Sequence, residues 1–363
     1  MGFAKPGDLP KTHAASLNAS RKGVQAARVW NQIPLTACSL TRTGRSAGFL
    51  LLASSNRQNQ KNTLVLALFT LTLFSGCNPR TPSGPASSIA ATRETVDDAG
   101  RRVAIPTQIE RVISLAPNLT EIVYAVGAGD RLVGRTSYCD YPPDARKAEE
   151  IGDTVHPNIE RIIALRPQLV LVSTASQLEA FTHQLEGHHI AVFVTDPRNL
   201  EGVFSSIERI GEILNLKMQA AQLVEQLRAR TSSVESAVSS RPKVRVFYQL
   251  YAEPLYTAGH EAFATDLVQR AGGASVTADV PGAWPKYSAE AALAARPEAI
   301  ILPTGGASGD ANSTVAPPLR RSPAAISGRV YKINDDHLSR PGPRAVDGLE
   351  EMAKALHPEA FKE

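Results

Sequence analysis

The chain has 363 residues and a formal net charge of +4 at pH 7. That charge is unevenly spread: residues 1–77 hold nine Lys/Arg against one acid, Asp8, a balance of +8 that leaves −4 for the rest. The length allows two domains with their own cores, and the acidic balance after residue 77 excludes a broadly basic nucleic-acid-binding surface.

Residues 1–60 are basic, poor in acids and without clear periodicity. They read as an upstream extension from a start codon placed too far upstream. Residues 64–74, LVLALFTLTLF, form an apolar run of eleven with Arg57 and Lys61 before it and Ser75-Gly76-Cys77 after it. A basic flank, a short apolar core and small residues before a cut describe a secretory signal, and eleven residues are too few to span a bilayer as a helix. Cys77 directly after Ser-Gly resembles the lipobox of bacterial lipoproteins, with Phe74 where Leu is usual. The expectation is an exported, membrane-anchored chain lipidated at Cys77. Cys139 is then the sole unmodified thiol, so no intramolecular disulfide is available.

The domain plan takes 1–77 as extension plus signal, 78–95 as a tether, 96–216 as an N-terminal lobe, 217–239 as a bridging helix and 240–363 as a C-terminal lobe. The tether is rich in Pro, Ser and Ala and has little to bury. Residues 96–106 read as a β-hairpin turning at Asp98-Ala99-Gly100. A buried strand at 111–115 runs through Ala116-Pro117 into a helix at 119–126. Asn118 and Glu121 give that helix a capping-box-like start, and Gly127 and Gly129 end it. A short strand at 132–134 precedes a loop at 136–143, where Pro142-Pro143 stops any regular element.

Helices are predicted at 158–165, 178–185 and 200–214, and strands at 169–172 and 191–194. In 217–239, Ala221, Val224, Leu227, Thr231, Val234 and Val238 recur at helical spacing, giving an amphipathic helix about 35 Å long. Beyond it come a strand at 244–250, a loop at 251–259, a helix at 262–271, a helix at 288–295, strands at 299–302 and 330–333, and a final helix at 345–356. Strands alternating with helices imply mostly parallel sheets covered by helices. The fold class is therefore α/β, two Rossmann-like lobes joined by a single long helix.

IERIIALRPQLVLV and AEAALAARPEAIILP repeat one helix–strand plan 130 residues apart, which superposes Glu160 on Glu290, Arg166 on Arg296 and Pro167 on Pro297. Each acid suits the first turn of its helix, where it offsets unsatisfied N–H groups. The pair could equally dock a two-fold partner through arginines.

No P-loop, GxSxG or zinc-finger spacing occurs, and His260-Glu261 lacks the second His of HExxH. The histidines are scattered, and the expectation is no catalytic residue, no metal site and no cofactor. Tyr138, Tyr141, Tyr251, Tyr256 and Trp284 fall in loops, which suits a large, flat, partly apolar ligand. Tyr141, beside two prolines, reads instead as a local core plug. Arg340, in the loop His337-Leu338-Ser339-Arg340, could meet an anionic ligand group or pin its loop to a carbonyl.

RVISLAPNLTE, GRTSYCDYPP, NIERIIALRPQLV, LYTAGHEAFATDLVQRAGG and RPGPR are similar, in order, to blocks of the periplasmic binding proteins of iron-siderophore, haem and vitamin B12 importers. The resemblance covers about 96–363. SYCDYPP and AWP look most like the cobalamin-binding branch. It implies that Ala116, Pro117, Tyr138, Trp284 and the loop Asp336, His337, Leu338, Ser339 and Arg340 border a corrinoid. It also implies that Glu160 and Glu290 dock a dimeric ABC permease with its ATPase. Thr154 stands where the branch can carry an aromatic, and His337 occupies a usually aromatic position, which keeps haem or a ferric siderophore as alternative ligands. A two-lobed enzyme is the reading from another class. It needs clustered ligands or cysteines, and one mature thiol cannot hold an iron–sulfur cluster.

Overall fold

Leu169–Ser173 and Ala191–Thr195 are nearly continuous runs of buried, mostly apolar residues, the pattern of parallel strands covered on both faces. In the computed structural model, which describes residues 91–154, 156–173, 178–306 and 314–362, they are the inner and outer strands of a five-stranded sheet. The upstream extension, the signal, Cys77 and most of the predicted tether lie outside the described residues. Among those residues no helix is long and apolar enough to cross a membrane.

A hairpin of β1 (Thr92–Val96) and β2 (Arg102–Pro106) leads in. It starts four residues earlier than the alternation suggested, because Thr92 pairs with Pro106 within the stretch expected as tether. The first sheet follows: β3 (Val112–Ser114), β4 (Leu132–Arg135), β5 (Glu149–Glu150), β6 (Leu169–Ser173) and β7 (Ala191–Thr195), all parallel in the order β5-β4-β3-β6-β7. Helices α1 (Pro117–Ala125), α2 (Ile159–Ala164) and α3 (Leu178–Glu186) lie in the crossovers, and α4 (Leu200–Ile213) follows the last strand and leads out of the lobe. Strand alternation divides the core. Leu169, Leu171 and Phe193 pack with Ile122 of α1 and Phe204 of α4, while Val170, Val172 and Val192 pack with Ile162 of α2.

Helix α5 (Lys217–Val238) joins the lobes as a single rod about 33 Å long. Its buried stripe is Ala220, Val224, Leu227, Thr231, Val234 and Val238. Ala221, placed in that stripe by spacing alone, is exposed, and Ala220 packs beneath the turn from α4 instead. Arg228 lies 4.8 Å from the Phe204 ring of α4, whereas Arg230 pairs with Asp347 at 2.6 Å and Glu350 at 2.8 Å in the last helix.

The second sheet has β8 (Val244–Ala252), β9 (Leu255–Thr257), β10 (Gly273–Ser275), β11 (Ala299–Thr304) and β12 (Val330–Asn334). Its parallel order is β10-β8-β11-β12, with β9 antiparallel to β8. The predicted loop at 251–259 is therefore largely a second hairpin, turning at Glu253-Pro254. Helices α6 (Phe263–Arg270), α7 (Ala289–Ala294), α8 (Pro323–Ile326), α9 (Asp335–Leu338) and α10 (Ala345–Leu356) complete the lobe. Both lobes and α5 belong to one compact unit, Ser83–Glu363, and one apolar core cluster runs through them.

The internal echo extends to backbone detail. Asn158 caps α2 by accepting from the N–H of Arg161 at 3.0 Å, and Ser288 caps α7 by accepting from Ala291 at 3.1 Å. Two residues beyond each helix stands an arginine of positive φ, Arg166 at 46° and Arg296 at 49°. Directly before the following strands stand Gln168 and Glu298, whose side chains accept from the N–H groups of Arg111 and Arg245, each at 3.0 Å.

Candidate ligand-binding cleft

In an open parallel sheet the loops leaving the carboxyl ends of strands diverge where the strand order reverses, and that crevice is where ligands bind. In the first lobe the reversal lies beside β3. Pro117 and Asn118 follow β3, Tyr138 follows β4, Thr154 follows β5, and Ser173 ends β6. From the second lobe, Asp335, Asp336, Ser339, Arg340 and Pro341 follow β12. These two sets line a cavity of about 300 Å³.

The lobes meet at the floor of this cavity. Asn118 Nδ2 donates to the Pro341 carbonyl at 3.2 Å, and Gly342 lies so close that a β-carbon there would sit 3.3 Å from that of Asn118. Arg344 holds Glu121 through two bonds, Nε to Oε2 at 3.0 Å and Nη2 to Oε1 at 2.6 Å. Arg340 Nη1 donates to Asp140 Oδ1 at 2.9 Å and lies 3.7 Å from Glu121 Oε1, while its Nη2 is 2.9 Å from Asp336 Oδ1. Ser339 Oγ donates to the carboxylate of Asp335. Burial pushes the Glu121 carboxyl above its ordinary value of 4.5, against the hydrogen bond and charge of Arg344. Burial acts upward on Asp140 too, but the hydrogen bond and charge of Arg340 outweigh it and hold that carboxyl below 3.8.

Of the residues selected from sequence, Pro117, Tyr138, Asp336, Ser339 and Arg340 come together around the cavity. Tyr138 is 46% exposed, so its ring is available to a ligand. Four others do not line the cavity. Ala116 is buried beneath the loop, its carbonyl accepting from Ser114 Oγ at 2.9 Å. Leu338 is wholly buried, because the short helix α9 turns it into the core with α10. His337 faces α10, where Nδ1 lies 2.9 Å from Glu351 Oε1. Trp284 packs on Tyr248 with ring centroids 6.0 Å apart and keeps 37% of its surface exposed.

Three further expectations change. Asn118 and Glu121 form no capping box, since α1 starts at Pro117 and both side chains are spent on contacts to the second lobe. Tyr141 plugs no core: it is 44% exposed, with the Arg344 guanidinium 4.0 Å above its ring. Arg340 meets carboxylates rather than a carbonyl. Asn118, Ser173, Asp335 and Pro341 were missed as lining residues, although their places at the ends of strands or just beyond them could have marked them.

Glu160 and Glu290 are both exposed, each in the first turn of a capped helix. A helix returning to the start of the next parallel strand runs antiparallel to it, so each acid sits at the carboxyl edge of its own sheet. A backbone hydrogen bond, helped by the bond that Glu290 accepts from Ser288 Oγ at 2.8 Å, lowers the Glu290 carboxyl below 4.5. Among the described residues no group of three or more His, Cys, Asp or Glu is placed to hold a metal ion.

Residues 112–337 match the model of the periplasmic binding protein family. The chain is 32% identical over 281 residues to the uncharacterized ABC transporter substrate-binding lipoprotein YvrC of Bacillus subtilis, covering 74% of this chain and 87% of that one. It is 30% identical to the vitamin B12-binding protein of Photorhabdus laumondii, covering 68% and 88%. Among solved structures, the periplasmic vitamin B12-binding protein BtuF of Vibrio cholerae is similar at 28% identity and TM-score 0.62, covering 71% of this chain and all of that one. The haem-binding protein RhuT from Roseiflexus sp. RS-1 shares the fold at 23% identity and TM-score 0.63, covering 69% and 99%. With its two mostly parallel sheets, single joining helix and cleft between them, the chain belongs to the periplasmic binding protein family.

Proposed function

We propose that this protein captures cobalamin or a related corrinoid in the cleft between its lobes and delivers it to a dimeric ABC permease with its ATPase. The family is one of solute-binding proteins rather than enzymes, so the work is binding followed by hand-over. The observation that carries the reading is the cavity itself, lined from both sheets at the carboxyl ends of their strands and edged by the exposed ring of Tyr138. A large, partly apolar ligand gains there from apolar burial and stacking. The vitamin B12-binding relatives at 28–30% identity favour a corrinoid, whereas haem-binding structures at 23–24% share the fold alone.

Delivery uses Glu160 and Glu290, one exposed acid at the cleft-side edge of each lobe, set for arginines on a two-fold permease. Export with a lipid on Cys77 keeps the protein at the membrane surface, a role in keeping with the lipoprotein name of the Bacillus relative. Parallel titrations with cyanocobalamin, haemin and a ferric siderophore, read by intrinsic tryptophan fluorescence, test the ligand. Saturable quenching by cyanocobalamin supports the reading, and a response to haemin or the siderophore alone overturns it.

A further inference from the structure

In the first lobe the strand order reverses between β3 and β6, and residues at both strand ends, Pro117 and Asn118 on one side and Ser173 on the other, line the cavity. The second lobe repeats that reversal between β8 and β11. The internal echo fixes the correspondence. Ser114 is the last residue of β3 to pair with β6, at Leu171, and Tyr248 is the last residue of β8 to pair with β11, at Ile301. Leu171 and Ile301 are themselves 130 residues apart. Three residues past these last pairs stand Pro117 in one lobe and Tyr251 in the other.

Beyond Tyr248, β8 parts from β11 and pairs with β9 instead, with Tyr251 opposite Tyr256. On the other side β11 runs out through Thr304 into Gly305-Gly306, which add no side chain. A second crevice therefore opens at the carboxyl end of this sheet. Tyr251 stands at its mouth, 40% exposed, with the Tyr256 ring edge-on at 6.3 Å and 86°. Burial, and then the charge of the cavity-lining Asp335, push the Tyr251 hydroxyl above its ordinary value of 10.0. The tyrosine thus adjoins the cavity wall without lining the cavity.

We propose that Tyr251 is a ligand-contact residue, the second lobe's counterpart of Tyr138, on which a flat ligand rests where it extends past the cavity. The proposal rests on the cleft reading above and adds where the ligand lies on the second lobe. A cavity of about 300 Å³ is at the lower bound for a site that buries a drug-sized molecule. A larger macrocycle must also cover surface beside it, and a tyrosine ring offers contact area at little conformational cost.

Calorimetric titration of cyanocobalamin into the wild-type protein, Tyr251→Ala and Tyr251→Phe separates the ring from the hydroxyl. Tyr251→Ala should weaken binding about tenfold and Tyr251→Phe less than about threefold. Hydroxyl-radical footprinting read by mass spectrometry reports the contact itself. Saturating ligand should protect Tyr251 from oxidation and leave Met218, 79% exposed on α5, unprotected. Unchanged affinity in Tyr251→Ala, an equal loss in Tyr251→Phe, or an unprotected Tyr251 overturns the proposal. Should Tyr251→Ala lower the urea midpoint, the wild-type footprint decides alone. If no corrinoid binds, the corrinoid reading fails separately, and haemin serves in the same variants and footprint with the same outcomes. If neither ligand binds, the proposal falls together with the cleft reading.

Discussion

Replacing Arg344 with Met removes one guanidinium from the ion network that joins the lobes. Glu121 is 2% exposed at its side chain and would keep only Arg340, whose Nη1 lies 3.7 Å from Oε1. Removing one partner of a buried pair costs about 3–5 kcal/mol. The remaining arginine and the 14% exposure of Arg344 put this case at the low end, about 3 kcal/mol. The loss should depend on pH. Glu121 is an acid whose folded-state pKa is raised above 4.5, so its contribution is fully present below 4.5 and is lost as pH rises through the raised value. Without Arg344 that value moves higher still, and the destabilisation therefore grows from pH 4.5 towards neutrality. Urea unfolding followed by far-UV circular dichroism at pH 4.5 and 7.5 measures both effects. Adding Glu121→Gln should recover at least about 1 kcal/mol, since it removes the stranded charge. A loss below about 1 kcal/mol at pH 7.5, or the same loss at both pH values, would refute the reasoning.

Three other predictions address hand-over and packing. Glu160→Ala combined with Glu290→Ala should abolish ligand uptake by cells while leaving affinity in solution near normal; a loss of affinity would assign both acids a structural role. Gly348→Ala should destabilise by about 1–3 kcal/mol in urea, because a β-carbon there meets the His337 carbonyl oxygen at 2.6 Å and must displace α9. Asn158→Ala and Ser288→Ala should each cost about 1 kcal/mol and add within error, since each cap serves a different lobe.

Most of the architecture was legible because it rests on local pattern. Helix α10 falls at the residues its apolar spacing predicts, and α2 and α7 keep their cap residues. The 130-residue echo reappears as the paired positive φ angles of Arg166 and Arg296. The cleft was legible only as loops. Arg340 finds Asp140 200 residues away and Arg344 finds Glu121 223 residues away, and nothing local in either segment announces such a partner. The same distance in sequence hid the fate of Asn118 and Glu121, whose spacing fits a cap equally well. His337 and Leu338 do not line the cavity, because four residues of helix in α9 turn both towards α10 and leave Asp336, Ser339 and Arg340 at the cavity wall.

Calorimetric titration of cyanocobalamin into the wild-type protein and into Tyr138→Ala tests the central claim most directly. The account predicts one site with a dissociation constant of about 1 μM or below, weakened about tenfold by removal of the exposed ring. No saturable heat with the wild type, or an affinity unchanged by Tyr138→Ala, would contradict it.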